Sequence, residues 1–338
     1  MSQIATISEL LSLSQSQYRI YDLGRKLDKI SKEQFTKIEQ NMQPYPFPSQ
    51  GHAFIGIAFW QKQSPEPYLW FVKLPLDERG LLNQGARNHF IAIIIEALGS
   101  DLSVDPTEKQ EELLKANPYH FTPAQYKLAA INSRLKRELK QPASIYFEQC
   151  QDYFSGQLNW QEWQGIGLQG IADFAERIND NEHSDALISA LPYLPNEVLE
   201  PLCFSLEHQT LSPSLISALI NAYEKSNNSL YLRALASSCE HPYTVDFIGA
   251  LLSKQTLSDE VLITLSGRCW LALNDTKRLL AYFEHLVANE EPALFPSLFK
   301  DLVTIPTLRP IVFQCMREPN RSDKLAKAIG QLFNQLQA

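Results

Sequence analysis

Leu187-Ile188-Ser189-Ala190-Leu191 recurs unchanged as Leu215-Ile216-Ser217-Ala218-Leu219, and in blurred form as Phe247-Ile248-Gly249-Ala250-Leu251. The spacings are 28 and 32 residues, a period that points to supersecondary units which bury their apolar faces only against one another. Around these stretches the pattern predicts helix pairs. First helices hold Leu187, Leu215, Phe247 and Leu279, and second helices hold Leu199 with Leu202, Leu232 with Leu235, Leu262 with Leu265, and Leu298 with Leu302. Asn196, Ser212, Ser258 and Asp275 stand at the predicted starts, where a side-chain oxygen can accept from the orphan amides of a first turn. Asp323 to Leu336 closes the array as a polar cap.

Upstream of Thr122 the chain reads differently. Ala53 to Trp60 and Tyr68 to Leu74 are aromatic and β-branched runs, and the loop between them carries Pro65 and Pro67, so they should pair as a hairpin. Both runs are apolar on both faces, which implies helices on one side and neighbouring chain on the other. Tyr18 to Leu23 alternates as a strand does, and Leu27 to Ile30 can continue it. Ser31 with Gln34 forms a capping-box pattern before a helix over Lys32 to Met42, with Phe35, Ile38 and Met42 facing inward. Another helix is expected from Leu82 to Leu98, ended by Gly99, and a short one opened by Pro106 and closed by Pro118. Thr122 and Pro123 begin a helix whose Lys127, Arg134, Lys136, Arg137 and Lys140 form a basic face, and Asn159 caps a helix with a bulky stripe from Trp160 to Ile178.

The fold class expected is therefore an α+β N-terminal domain, a small antiparallel sheet with helices, followed by an all-α solenoid. The boundaries fall at 1–118, 119–180 for a helical connector, and 181–338. The array resembles HEAT or armadillo-type solenoids, although those repeats run nearer about 40 residues. The whole chain, and in particular Trp70 to Glu78 followed by Gly80-Leu81-Leu82, resembles an uncharacterised family of proteobacterial proteins known as a domain of unknown function. That resemblance implies a bacterial cytoplasmic protein and supplies no activity or site.

Composition narrows the function classes. Residues 1–150 hold 17 Lys+Arg against 16 Asp+Glu, and residues 151–338 hold 13 against 22. An acidic repeat half disfavours nucleic acid, since a solenoid that grips phosphates must line its groove with cations. The five cysteines lie far apart with no CxxC pair, which fits a reducing cytoplasm. No start resembles a signal peptide, and the longest apolar run, Phe90 to Ile95, is far short of the roughly 20 residues of a membrane span.

Chemical motifs are sparse. Gly165-Ile166-Gly167-Leu168-Gln169-Gly170 matches GxGxxG, but a dinucleotide loop must follow a strand, and here a helix precedes it; close helix packing explains the glycines better. Cys239 with His241, and Cys203 with His208, fall short of a zinc site. No catalytic, cofactor or metal residues are assigned. The polar cluster beside the hairpin, Lys73, Asp77, Arg79, Arg87 and His89, is the first candidate for binding, because charged turns at strand ends are held by a scaffold while facing solvent. The basic face is the second candidate. The function expected is a non-enzymatic adaptor that holds a protein or peptide in the solenoid groove. Its rivals are a small-molecule or enzymatic site near the aromatic hairpin, which requires a partly apolar cavity, and an RNA- or tRNA-associated factor using 127–140.

Overall fold

The structure, a computed structural model, describes residues 4–61, 66–99, 107–180, 182–254 and 256–337. Pro65 and Pro106, expected in a hairpin loop and at a helix start, lie outside the described residues. The protein is predominantly helical and of the α+β kind. It divides into two compact units, Met1–Pro123 with Thr304–Thr307, and Ala124–Val303 with Leu308–Ala338.

In the first unit the elements run α1 (Ile7–Leu13), β1 (Gln17–Asp22), β2 (Asp28–Ile30), α2 (Lys32–Glu39), β3 (His52–Trp60), β4 (Tyr68–Pro75), α3 (Gln84–Leu98) and α4 (Glu108–Lys115). The four strands form one sheet in the order β2-β1-β3-β4, antiparallel throughout. The hairpin register pairs Ile57 with Trp70 and Ile55 with Val72. Alternation then places Ile20, Ile55, Ile57, Val72 and Leu74 on one face, where they form a core with Phe35 and Ile38 of α2 and Phe90, Ile91 and Ile94 of α3. The other face is buried at Tyr21 and Ala58, and Phe121 lies against Phe54 and Phe71.

Helix ends follow their local chemistry. The Ser31 hydroxyl accepts from the Gln34 amide at 3.1 Å and Asn83 from Ala86 at 2.9 Å. Gly99 ends α3 at φ 73°, a left-handed value that costs glycine little. The helix after Ser31 stops at Glu39, three residues sooner than its pattern suggests, because Asn41 turns left-handed at φ 56°. Met42 consequently points outward and is 70% exposed instead of joining Phe35 and Ile38 in the core.

The second unit contains α5 (Gln125–Glu138), α6 (Phe147–Phe154), α7 (Leu168–Glu176), α8 (His183–Ala190), α9 (Asn196–Leu206), α10 (Pro213–Ser226), α11 (Ser229–Ala234), α12 (Pro242–Leu252), α13 (Asp259–Gly267), α14 (Thr276–Ala288), α15 (Leu294–Thr304), α16 (Arg309–Cys315) and α17 (Asp323–Gln337). Alternate helices stack in two rows. One row runs α8, α10, α12, α14, and α14 also meets α16 and α17; the other runs α7, α9, α11, α13. The repeated Leu187, Leu215 and Phe247 are buried where the first row packs. Ser212, Ser258 and Asp275 cap α10, α13 and α14 through their side chains, whereas Asn196 is already helical and Pro195 holds the cap position without a side-chain bond.

The stripe from Trp160 to Ile178 is not one helix. Asn159 accepts from the Gln161 amide as expected, but residues 160–165 form a 3-10 segment, Ile166 is extended, and α7 starts afresh at Leu168. Ile171, Phe174 and Ile178 are buried, while Trp160 stacks on Tyr193 with ring centroids 5.6 Å apart. Among the glycines of GxGxxG, only Gly170 sits against backbone: a Cβ there would lie 2.6 Å from the Tyr146 carbonyl oxygen.

Candidate functional site

Strand β4 lies at the edge of its sheet, so one side of its backbone needs other partners. The chain supplies them by returning after α4. Asn117 ends that return with its side chain, which accepts from the Tyr119 amide at 2.9 Å, while the His120 amide donates to the Asn117 carbonyl at 3.0 Å. Residues 119–121 then pair antiparallel with β4 about Val72 and His120. The Lys73 amide donates to the Tyr119 carbonyl at 2.7 Å and the Phe121 amide to the Phe71 carbonyl at 3.2 Å.

Between this return and α3 a cavity of about 220 Å³ opens. Its walls are β4 from Leu69 to Val72, Phe90 and Ile94 of α3, and Leu114 of α4, with Asn117 and His120 as its polar margin. The walls are stiff. Trp70 meets Phe59 at 4.4 Å and stands edge-on to Phe90 at 6.1 Å, and Phe90 in turn meets Tyr119 at 6.5 Å. Aromatic side chains lose little rotamer freedom and bury large areas, so such a wall presents a shaped apolar surface with little ordering cost.

The five polar residues expected beside the hairpin do not converge. Lys73 lies on the opposite face of the sheet, its ammonium 5.2 Å from the Phe54 ring centroid. Asp77 closes a turn, accepting from the Leu81 amide at 2.8 Å and the Arg79 amide at 2.9 Å. The Leu81 amide, ahead of Arg79, holds its carboxyl below the usual carboxylate range. Arg79 pairs back onto Asp77 at 3.2 Å. Arg87 is buried. Its guanidinium donates to the Glu39 carbonyl and the Asn88 side chain, tying α3 to the end of α2. Glu39 accepts from the Ile7 amide at 2.6 Å and from the Ser8 amide and hydroxyl, thereby capping α1 from a distance. Burial nevertheless pushes its carboxyl up. Of the five side chains only that of His89 meets Tyr119, its Nδ1 3.1 Å from the hydroxyl.

The basic face of α5 is largely committed to its own unit. Lys127 is buried instead of facing solvent. The Arg134 Nε donates to both Glu176 oxygens at 2.8 Å and its Nη2 to the His208 carbonyl at 3.1 Å. Arg137 donates to the Glu176 carbonyl and to Asp180, each at 2.6 Å. Lys136 and Lys140 make no ion pair among the described residues. The same junction buries Glu207, which accepts from Arg233 Nη2 at 3.1 Å and lies 3.5 Å from Arg268 Nε. Tyr126 of α5 stacks on His208 and receives the Arg233 guanidinium at 5.2 Å. Burial, then the charges of Lys127, Arg268, Arg134 and Arg233, hold the His208 ring well below its ordinary value. Helix α5 thus packs on α7 and α9 of the second row.

Histidines sit at helix ends as their positions suggest: His183 Nδ1 lies 2.8 Å from the Arg177 carbonyl and His285 Nε2 2.9 Å from that of Leu252. Among the described residues no group of three His, Cys, Asp or Glu side chains is placed to hold a metal ion, and no helix is long and apolar enough to cross a membrane.

What sequence reasoning missed is the margin formed by Asn117 and His120. The Asn117-Pro118 pair is a turn signal, yet nothing local tells that this turn returns to β4. No match was found among curated proteins or among solved structures. Residues 2–333 match the model of the family described as a protein of unknown function, DUF3549, and because the match spans nearly the whole chain, the chain belongs to that family.

Proposed function

We propose that the protein is a non-enzymatic bacterial adaptor working in the cytoplasm, and that it captures a protein or peptide partner through the cavity beside β4. One observation carries this reading. The cavity is a shaped apolar recess with aromatic walls and a polar margin confined to Asn117 and His120. Its 220 Å³ falls below the range of about 300–1,000 Å³ common for small-molecule and cofactor pockets, so a single bulky side chain suits it better than a cofactor. The five cysteines are free and buried, which agrees with a reducing compartment.

A fragment assay tests the cavity directly. N-acetyl-phenylalaninamide, N-acetyl-leucinamide and N-acetyl-lysinamide are titrated against the full chain by ligand-observed NMR, with Leu114→Trp as the filled control. The aromatic fragment should bind best and the lysine fragment least, and both apolar signals should vanish in the filled variant. Equal binding of all three, or binding indifferent to Leu114→Trp, refutes the reading.

The groove of the helix array has a second, weaker claim. A cleft of about 340 Å³ opens between α8 and α10, lined by Ile188, Leu191, Ala218, Ala222 and Tyr231 with Lys225 at its rim. Three of these residues, Ile188, Leu191 and Ala218, belong to the two copies of the repeated motif. The RNA reading draws least support, since three of its five cations serve α5's own packing.

A further inference from the structure

Beside the cavity, the edge of β4 carries one unfilled rung. In an antiparallel ladder the amide and carbonyl of one residue point to the same side, and successive residues alternate. The Phe71 carbonyl and the Lys73 amide both point away from β3, toward residues 119–121. Leu69 has the same parity, so its amide and carbonyl point outward too. Neither belongs to a hydrogen bond among the described residues.

Register explains why the chain does not fill this rung itself. Val72 pairs with His120, so the residue that would stand opposite Leu69 is Pro123. Proline has no amide to donate to the Leu69 carbonyl, and the Leu69 amide does not reach the Pro123 carbonyl either. The returning segment therefore ends its pairing at Phe121, and Leu69 is left half-buried with both backbone groups open. An edge strand with an open amide and carbonyl is a ready template for pairing with another chain, and here these groups lie beside an apolar recess whose walls include Leu69 itself.

Resting on the reading of the cavity as a binding site, we infer that its occupant is an extended segment of a partner protein that adds a strand to β4 at Leu69 and seats one aromatic side chain between Trp70, Phe90 and Ile94. In such strand addition the backbone bonds supply affinity while a pocket for an alternate side chain supplies specificity. Both parts are present within two residues of each other. The aromatic choice follows from the walls, because edge-to-face geometry with Trp70 and Phe90 adds to area burial.

The experiment pans a display library of random linear heptapeptides against the full chain and measures synthetic versions of the enriched sequences by fluorescence polarisation. Four proteins are compared: the parent, Leu114→Trp, Leu69→Ala and Leu69→Pro. Leu69→Ala removes the side chain and keeps the amide; Leu69→Pro removes both, and because that amide faces away from β3 the sheet loses no internal bond. Thermal melts of all four verify the fold. The enriched peptides should share one aromatic position, bind Leu114→Trp at least about tenfold more weakly, and bind Leu69→Pro roughly three- to tenfold more weakly than Leu69→Ala. Peptides that respond to Leu114→Trp but bind Leu69→Pro and Leu69→Ala alike overturn strand addition and leave the cavity reading standing. Failure to enrich any peptide sensitive to Leu114→Trp overturns the inference, and the fragment assay then decides separately whether the cavity takes an apolar small molecule.

Discussion

Replacing Gly170 and Gly249 by alanine should move stability in opposite directions, although both glycines lie inside helices. At Gly170 an ideal Cβ would lie 2.6 Å from the Tyr146 carbonyl oxygen and 3.0 Å from the Cys150 sulfur, where ordinary contact begins near 3.4 Å. The nearer neighbour is backbone at the start of α6, so α6 and α7 must separate to admit the methyl. Overpacking of this kind costs about 1–3 kcal/mol, and the better helix propensity of alanine returns up to about 1 kcal/mol. A net loss of about 1–2 kcal/mol is expected, which lowers the melting midpoint by roughly 2–8 °C in a unit of this size. At Gly249 nothing lies within 4 Å of the added atom, and only the propensity gain of about 0.5–1 kcal/mol remains. Urea and thermal unfolding followed by tryptophan fluorescence decide the matter, with Gly167→Ala as a third variant because its Cβ also meets nothing. If Gly170→Ala is as stable as the parent, the close approach of α6 and α7 does not exist as described. If instead Gly167→Ala and Gly170→Ala leave stability alone but abolish binding of a dinucleotide that Gly249→Ala retains, the GxGxxG stretch is a cofactor loop and the packing account is wrong.

Three further outcomes follow from buried charge and burial. The His208 ring is held below its ordinary value of 6.5, so the unfolded chain takes up the proton first, and stability should fall as pH drops below 6.5 by up to about 1.4 kcal/mol per pH unit. Urea midpoints at descending pH should show this slope, and His208→Gln should flatten it; an unchanged slope refutes the assignment. Burial pushes the Cys150 and Cys315 thiols up to about 12, and Cys203 and Cys269 are raised as well. The native chain should therefore give almost no reaction with dithionitrobenzoate, whereas all five thiols react in guanidinium; a fast native thiol contradicts the burial described. Arg134→Met should destabilise the second unit by about 3–5 kcal/mol, since it leaves the nearly buried Glu176 carboxylate without the guanidinium whose Nε donates to both its oxygens, and with only the neutral Gln209 amide still bonded to it. A thermal melt within a degree of the parent would show that this pair is solvated. The same result bears on nucleic-acid binding, because a charge reversal at Arg134 removes stability before it can report on RNA.

Helices were legible wherever one residue type set the local outcome. Ser212, Ser258 and Asp275 cap because a short oxygen-bearing side chain reaches the first-turn amides from any sequence context. The apolar period fixed which faces of α10, α12 and α14 are buried for the same local reason. It failed at Met42 and along 160–167, where a single left-handed or extended residue rotates everything after it and periodicity carries no trace of that rotation.

The residues of the proposed binding recess were illegible for a different reason, which bears on how this family should be searched for function. Charge density drew attention to Lys73, Asp77, Arg79, Arg87 and His89, yet polar side chains crowded near strand ends are the ones most able to satisfy each other. Arg87 shows this clearly: its partner is the main-chain carbonyl of Glu39, which no sequence pattern advertises. The recess beside β4 is composed instead of residues from 69 to 120 that become neighbours only when the chain after α4 returns to the sheet. Its open rung depends on a register that sets Pro123 opposite Leu69. In a relative of this chain, a residue with an amide at the position of Pro123 could complete the ladder and close the edge. The identity of that one position, more than the charged turn, is therefore the sequence feature that should track partner capture.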